Sequence, residues 1–149
     1  MGWMINCTEK KCGKKTRVSN IVDLVKKHRD QNGWFLCECG KQGYIPQSFK
    51  NVEPEGGRFE PLLRGIICLN DPEEIYQPFA FLVSYEPNGP VTDVMFSYYK
   101  DLRSSGRRLK LGHGPGGPAV LRARSMVYVL KRLKAIGCVS ARDLRAIRG

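Results

Sequence analysis

The sequence predicts an α+β protein, with an N-terminal four-cysteine module, a small antiparallel sheet and C-terminal helices. Three observations carry that expectation. Four of the six cysteines stand within the first 39 residues, in two tight clusters. The middle of the chain alternates aromatic and β-branched runs with Asn, Gly and Pro, the pattern of short strands joined by turns. Beyond Pro118, apolar residues recur at the spacing of a helix. A stretch rich in Pro, Glu and Gly at 52–57 is the best linker. The expected division is therefore a cysteine module over 1–50 and a small α+β domain with basic C-terminal helices over 51–149.

The cysteines build the first element. Cys7-Thr-Glu-Lys-Lys-Cys12 runs into Gly13-Lys14, and Cys37-Glu-Cys39 runs into Gly40-Lys41, with 24 residues between the clusters. Two close pairs suit a tetrahedral metal, because two tight turns brought together supply four ligands from a short chain. A glycine after the last cysteine of each cluster lets the backbone fold back and aim N–H groups at sulfur. The lysines that follow offset the negative charge of a four-thiolate zinc site. The spacings, four residues between cysteines in the first cluster and one in the second, depart from the commonest two. Zinc leads, while a redox disulfide and simply buried thiols stay open. Four sulfurs leave no position for water, so a structural rather than a catalytic metal is expected.

These residues resemble a zinc ribbon or zinc knuckle over residues 5–44. The resemblance implies structural Zn²⁺ held by Cys7, Cys12, Cys37 and Cys39, in a kind of module that often docks nucleic acid or protein. It implies nothing about the rest of the chain.

Between the clusters, Thr16-Arg17-Val18 reads as a short strand, and Ser19 as the N-cap of a helix over 20–31 with Ile21, Leu24, Val25 and His28 at helical spacing. Asn32-Gly33 ends that helix, and 34–37 read as a strand. After the linker, 59–69 and 78–85 read as apolar strands either side of Asn70-Asp71-Pro72. Residues 79–85 and 91–98 flank Asn88-Gly89, a pair suited to a tight hairpin turn. Met95, Tyr98, Tyr99 and Leu102 also fall at helical spacing, with Thr92 as cap and Gly106 as stop. Residues 92–104 thus read as strand or helix, and their aromatic and β-branched content favours the strand. Residues 107–111 read as one more strand. Pro118 suits the first position of a helix over 119–136, which Gly137 ends. Ser140 with Asp143 resembles a capping box opening a last helix over 141–147.

Composition excludes several classes. No run of about 18 apolar residues is present to span a membrane. A secretory signal is lacking at the N-terminus, and Asn6 stands where a myristoylation signal carries Ser or Thr. A cytoplasmic protein is therefore expected, in which cysteines serve metal better than disulfides. Cys68 and Cys138 read as small buried hydrophobes. The formal net charge of +11 is unevenly spread. Residues 1–50 hold ten Lys/Arg against four Asp/Glu, residues 51–97 two against eight, and residues 98–149 thirteen against two. Basic ends around an acidic middle point to a surface offered to a polyanion.

The expected partner is nucleic acid, DNA or RNA, bound without catalysis, alongside other subunits of a nucleoprotein complex. Four basic clusters would converge on phosphate: Lys10, Lys11, Lys14, Lys15 and Arg17; Arg103, Arg107, Arg108 and Lys110; Arg124, Lys131 and Arg132; and Arg142, Arg145 and Arg148. Tyr128 lies among the third cluster, opposite an apolar helix face of Met126, Val127, Val129, Leu130, Leu133 and Ile136. It suits base stacking, as do Tyr98 and Tyr99. The helix, Gly137 and second helix resemble half of a helix-turn-helix, with a second helix shorter than that pattern expects. Gly112, Gly114 and Gly117 satisfy G-x-G-x-x-G, but Pro115 and Pro118 remove N–H donors and no acid follows to hold a ribose. That loop reads as a structural turn or, with His113, as a contact to a backbone phosphate. Two other functions stay open. One is a protein–protein adaptor whose basic ends hold an acidic partner. The other is a metal-dependent nuclease with Asp71, Glu86 or Asp93 on Mg²⁺ near Lys100, although no serine or histidine has a nucleophile context.

Overall fold

The computed structural model describes residues 2–50, 58–71, 74–112 and 119–146, with side chains left out at 49, 50, 58 and 59. The linker at 52–57, the loop residues 113–118 with His113, and Ile147 and Arg148 lie outside the described residues. Among those described, the elements are β1 (Trp3–Cys7), β2 (Lys15–Val18), α1 (Ile21–Lys27), β3 (Gly43–Pro46), β4 (Phe49–Lys50), β5 (Arg58–Phe59), β6 (Leu62–Cys68), β7 (Tyr76–Ser84), β8 (Asp93–Lys100), β9 (Lys110–Leu111), α2 (Ala123–Ala135) and α3 (Ala141–Ala146). Seven strands share one antiparallel sheet in the order β2-β1-β3-β6-β7-β8-β9, and β4 pairs with β5 apart from it. The chain is thus mixed α+β with C-terminal helices. It divides into two compact units, one of residues 1–66 with 81–95 and one of residues 67–80 with 96–149.

In the first unit β1 and β2 form a hairpin with Trp3 opposite Val18 and Asn6 opposite Lys15. Side-chain alternation sorts it: Ile5, Thr16 and Val18 are buried, while Lys15 and Arg17 face water. The other edge of β1 takes β3, Asn6 against Tyr44 and Cys7 against Gly43. Helix α1 is shorter than its periodicity predicts, and its N-cap is Asn20 rather than Ser19. Asn20 Oδ1 accepts the Asp23 N–H at 3.0 Å, and Asp23 Oδ2 accepts the Ser19 N–H at 3.3 Å. The helix stops at Lys27 because His28 leaves helical geometry and Arg29 pairs with Phe35 instead.

Residues 34–36 are not a named strand. They make isolated bridges, Trp34 with Gly65 and Leu36 with Gln42. Around that crossing Phe35 N–H donates to Arg64 O at 2.9 Å and Ile66 N–H to Gly33 O at 2.8 Å. The backbones come so close that a Cβ on Gly65 would stand 2.5 Å from Gly33 O. Phe81 anchors the core of this unit edge-on to Trp3 at 6.3 Å and to Phe35 at 6.4 Å, among buried Ile5, Leu24, Ile45 and Ile66. Asn88-Gly89 does not make a two-residue hairpin turn. Gly89 N–H donates to Glu86 O at 3.1 Å within a longer connection, and Asn88 Nδ2 reaches Thr8 O at 3.2 Å.

Residues 93–100 are strand, β8, whose residues 96–100 belong to the second unit. Tyr99 packs against Phe79 at 6.1 Å and Tyr98 against Tyr76 at 5.2 Å. Gln77 is fully buried and fully used: its Oε1 accepts the Asn70 N–H at 2.8 Å, and its Nε2 donates to the Asn70 and Asp71 carbonyls at 3.1 Å. Only Lys110–Leu111 of the expected 107–111 strand forms. Helix α2 begins at Ala123, later than expected, because Val120 is held by Tyr76: Tyr76 Oη accepts the Val120 N–H at 2.9 Å. It ends as expected at Gly137, whose φ of 79° lets its N–H reach Lys134 O at 3.1 Å and lets the Cys138 N–H reach Leu133 O at 2.8 Å. The capping box of α3 is present, with Asp143 N–H on Ser140 Oγ at 3.1 Å and Ser140 N–H on Asp143 Oδ2 at 2.8 Å.

The broad apolar face predicted for α2 is a narrow buried stripe instead. Ser125, Val129 and Leu133 are buried, while Met126, Val127 and Leu130 are 41%, 54% and 38% exposed. Burial along i, i+4 and i+8 covers a single line of the helix surface and leaves the flanking apolar side chains in water. No helix among the described residues is long and apolar enough to cross a membrane.

Candidate metal centre

Cys7 closes β1, and Cys12 lies in the loop that leads to β2. Cys37 and Cys39 lie in the turn that precedes β3. Pairing of β3 with β1 brings the two turns together, and Thr8 clamps them by donating its N–H to Gln42 O at 3.1 Å and its Oγ1–H to the same oxygen at 2.8 Å. All four Sγ atoms lie within 4.8 Å of one another, a group that can hold a metal ion. Cys7 Sγ stands 3.5 Å from Cys39 Sγ, and Cys12 Sγ stands 3.9 Å from Cys37 Sγ. These separations are far beyond the about 2.0 Å of a disulfide, so the thiols are free.

The backbone treats three of the four sulfurs alike. Glu9, Lys14 and Lys41 aim their N–H groups at Cys7, Cys12 and Cys39, each two residues after the sulfur it meets. Gly13 and Gly40 adopt φ of 61° and 81°, the left-handed conformation that the fold-back needs. Cys37, the most buried of the four, accepts a hydrogen bond from Thr16 Oγ1 at 3.9 Å. That hydroxyl in turn accepts the Glu38 N–H at 3.0 Å. The Lys41 N–H draws the Cys39 thiol down to about 7, whereas burial pushes Cys7 up to about 12. One corner of the cluster is therefore partly anionic near neutral pH and another stays protonated there in the absence of metal.

Around this cluster, the lysines of the two turns are exposed and, among the described residues, stand in no ion pair. Lys10, Lys11 and Lys41 line one surface concavity with Thr8, Glu9, Gln42 and Asn88. Lys10, Lys14 and Lys15 line a second, with Tyr44 and Pro87. Arg17 is exposed on β2 and lines neither.

The remaining cations of the expected nucleic-acid surface belong to the second unit. Arg107, Arg108, Lys110, Arg124, Lys131, Arg142 and Arg145 are exposed, and Arg132 is half-buried. Arg103 is engaged by Asp101 in a two-pronged ion pair, Nε at 2.8 Å and Nη2 at 2.7 Å. Tyr98 and Tyr99, offered as stacking surfaces, are 5% and 4% exposed and belong to the core. Tyr128 is 46% exposed and open to solvent. Cys68 and Cys138 are half-buried. Among the described residues, Asp71, Glu86 and Asp93 gather into no metal-ligating group, and the four cysteines form the one such group. Asp93 instead accepts the Thr92 hydroxyl at 2.7 Å.

Sequence reasoning missed Gln42, Tyr44 and Asn88. Asn88 is 80 positions from Thr8, and only folding makes them neighbours. Tyr44 offers no local signal beyond following the second cysteine turn. Comparison with protein-family models, curated proteins and solved structures finds no match for this chain.

Proposed function

We propose that the chain is a non-catalytic nucleic-acid-binding protein, an accessory subunit of a nucleoprotein complex, whose first unit is held by a structural Zn²⁺ on Cys7, Cys12, Cys37 and Cys39. Two S···S separations of 3.5 and 3.9 Å support zinc. A tetrahedron with Zn–S bonds of about 2.3 Å has edges of about 3.8 Å. Four sulfurs with N–H donors around them, and a hydroxyl on Cys37, are the donor set of a closed structural site, in keeping with the resemblance to a zinc ribbon. The metal would fix the two turns and with them the lysines they carry.

One observation carries the nucleic-acid reading: Lys10, Lys11, Lys14, Lys15 and Lys41 crowd the two cysteine turns, exposed and without carboxylate partners among the described residues. Unneutralised cations concentrated around concavities are what phosphates neutralise on binding, with release of counterions. Fluorescence titration of the zinc-loaded protein with DNA and RNA oligonucleotides at stepped salt is the test. Affinity should fall steeply with salt, by roughly 10³-fold or more between about 50 and 200 mM for six or more phosphate contacts. Binding that is absent, or insensitive to salt, rejects the reading.

The adaptor reading keeps one observation of its own. Val120, Met126, Val127 and Leu130 are exposed apolar side chains on or just before α2, more than scattered surface residues require. They fit the role of subunit contact within the same accessory function.

A further inference from the structure

The two concavities meet along a ridge: Thr8, Glu9, Lys10 and Asn88 line both of them. We propose that this ridge seats a single-stranded nucleic acid. One phosphate lies in the basin of Lys10, Lys11, Lys41 and Gln42, a neighbouring base lies on the Tyr44 ring, and the following phosphate lies against Lys14 and Lys15. The inference rests on the nucleic-acid reading above and narrows its ligand from a polyanion to an unpaired strand.

Donor chemistry defines the first basin. Gln42 Oε1 accepts a hydrogen bond from Arg64 Nη2 at 3.3 Å, so the Gln42 Nε2 hydrogens are what that side chain has left to offer an anion. Arg64 is only 5% exposed. Its Nη1 donates to Gly89 O at 3.1 Å, its guanidinium lies 5.9 Å from the Trp34 ring, and its buried Nε has no hydrogen-bond partner among the described residues. No described carboxylate pairs with it. A buried, unneutralised cation behind Gln42 adds to the field of the three lysines in front of it. Arg64 is a positioning residue, since it acts on the anion through Gln42.

The second basin differs in having an aromatic residue, Tyr44, among its lysines. Ammonium groups alone would serve a duplex backbone as well as a single strand. A ring between lysines serves only a base that is free to leave its stack, and stacking of this kind tolerates any base. The ridge is braced: Asn88 Nδ2 holds Thr8 O at 3.2 Å, and Thr8 holds Gln42 O, so both basins are formed before ligand arrives. Glu9, exposed on the ridge, opposes a phosphate placed directly upon it and favours phosphates to either side.

Fluorescence anisotropy with a labelled single-stranded oligothymidylate and a labelled duplex of the same length, on zinc-loaded protein, tests the seat. The single strand should bind more tightly than the duplex. Tyr44→Leu should weaken it about tenfold, and Tyr44→Phe should leave it within about twofold of wild type. Lys41→Ala and Gln42→Leu should weaken both probes, and Glu9→Gln should tighten the single strand. Stoichiometric zinc in each variant certifies its fold. Equal binding of the two probes, or a Tyr44→Leu variant that binds like wild type, overturns the single-strand seat and leaves the nucleic-acid reading intact. Failure of both probes to bind overturns both.

Discussion

Thr16 shows how much of the metal centre rests on one side chain. It is buried in β2 at 1% exposure, its hydroxyl donates to Cys37 Sγ, and its oxygen accepts the Glu38 N–H. Valine keeps the shape and the strand preference but removes both hydrogen bonds. Thr16→Val should therefore weaken zinc binding about 10- to 100-fold in competition with a chromophoric chelator. Protons compete with metal at the same sulfurs. Cys39 titrates at about 7 and Cys7 at about 12, so metal binding near neutral pH displaces protons, and below 7 Cys39 must lose one as well. Zinc affinity should rise with pH and fall steeply below about pH 7, and the same competition repeated across pH checks the sign. The cysteines and their glycines were readable one residue at a time because ligand type and positive φ are local requirements. Thr16 was not readable, since its role depends on a sulfur 21 positions away.

At the scale of elements, residues 33–35 cross β6 with the two backbones in close approach. Gly65→Ala would drive a methyl against Gly33 O, which is backbone and cannot swing aside. It should destabilise by about 2 kcal/mol or more, seen as a lower denaturant midpoint. Helix α2 makes the opposite case. Paired Val127→Glu and Leu130→Glu changes lie on solvent-exposed positions and should alter stability by about 0.5 kcal/mol or less. Leu133→Ala, on the buried stripe, should cost about 2 kcal/mol or more. Periodicity alone assigned all three leucine and valine positions to one face. It registers which residues are apolar, and only packing shows how wide a stripe is covered. The ends of α2 and α3 were legible because Gly137 and the Ser140–Asp143 box act within a few residues. The start of α2 was not, because Tyr76 decides it from 44 positions away.

For the whole molecule, charge is the property that sequence and structure divide most clearly. The first unit carries twelve Lys/Arg against nine Asp/Glu, and the second thirteen against five. The more weakly basic unit nonetheless gathers its lysines around the cysteine turns, while the second spreads its cations along β9, α2 and α3. If the lysines of the turns meet phosphates, Lys10→Ala should lower the slope of log affinity against log salt by about one, across all oligonucleotide sequences tested. An unchanged slope would remove Lys10 from the contact surface. The amino-acid sequence by itself determined the α+β class, the four cysteines of the candidate metal centre, the turns that present them and the excess of positive charge, because each follows from residue type and short-range geometry. The tertiary structure alone decided that the four sulfurs converge, that Tyr98 and Tyr99 are core while Tyr44 lines a basin, and that Asn88 and Arg64 brace the first unit's surface. Those outcomes depend on strand order and on contacts between residues far apart in the chain, which no local pattern encodes.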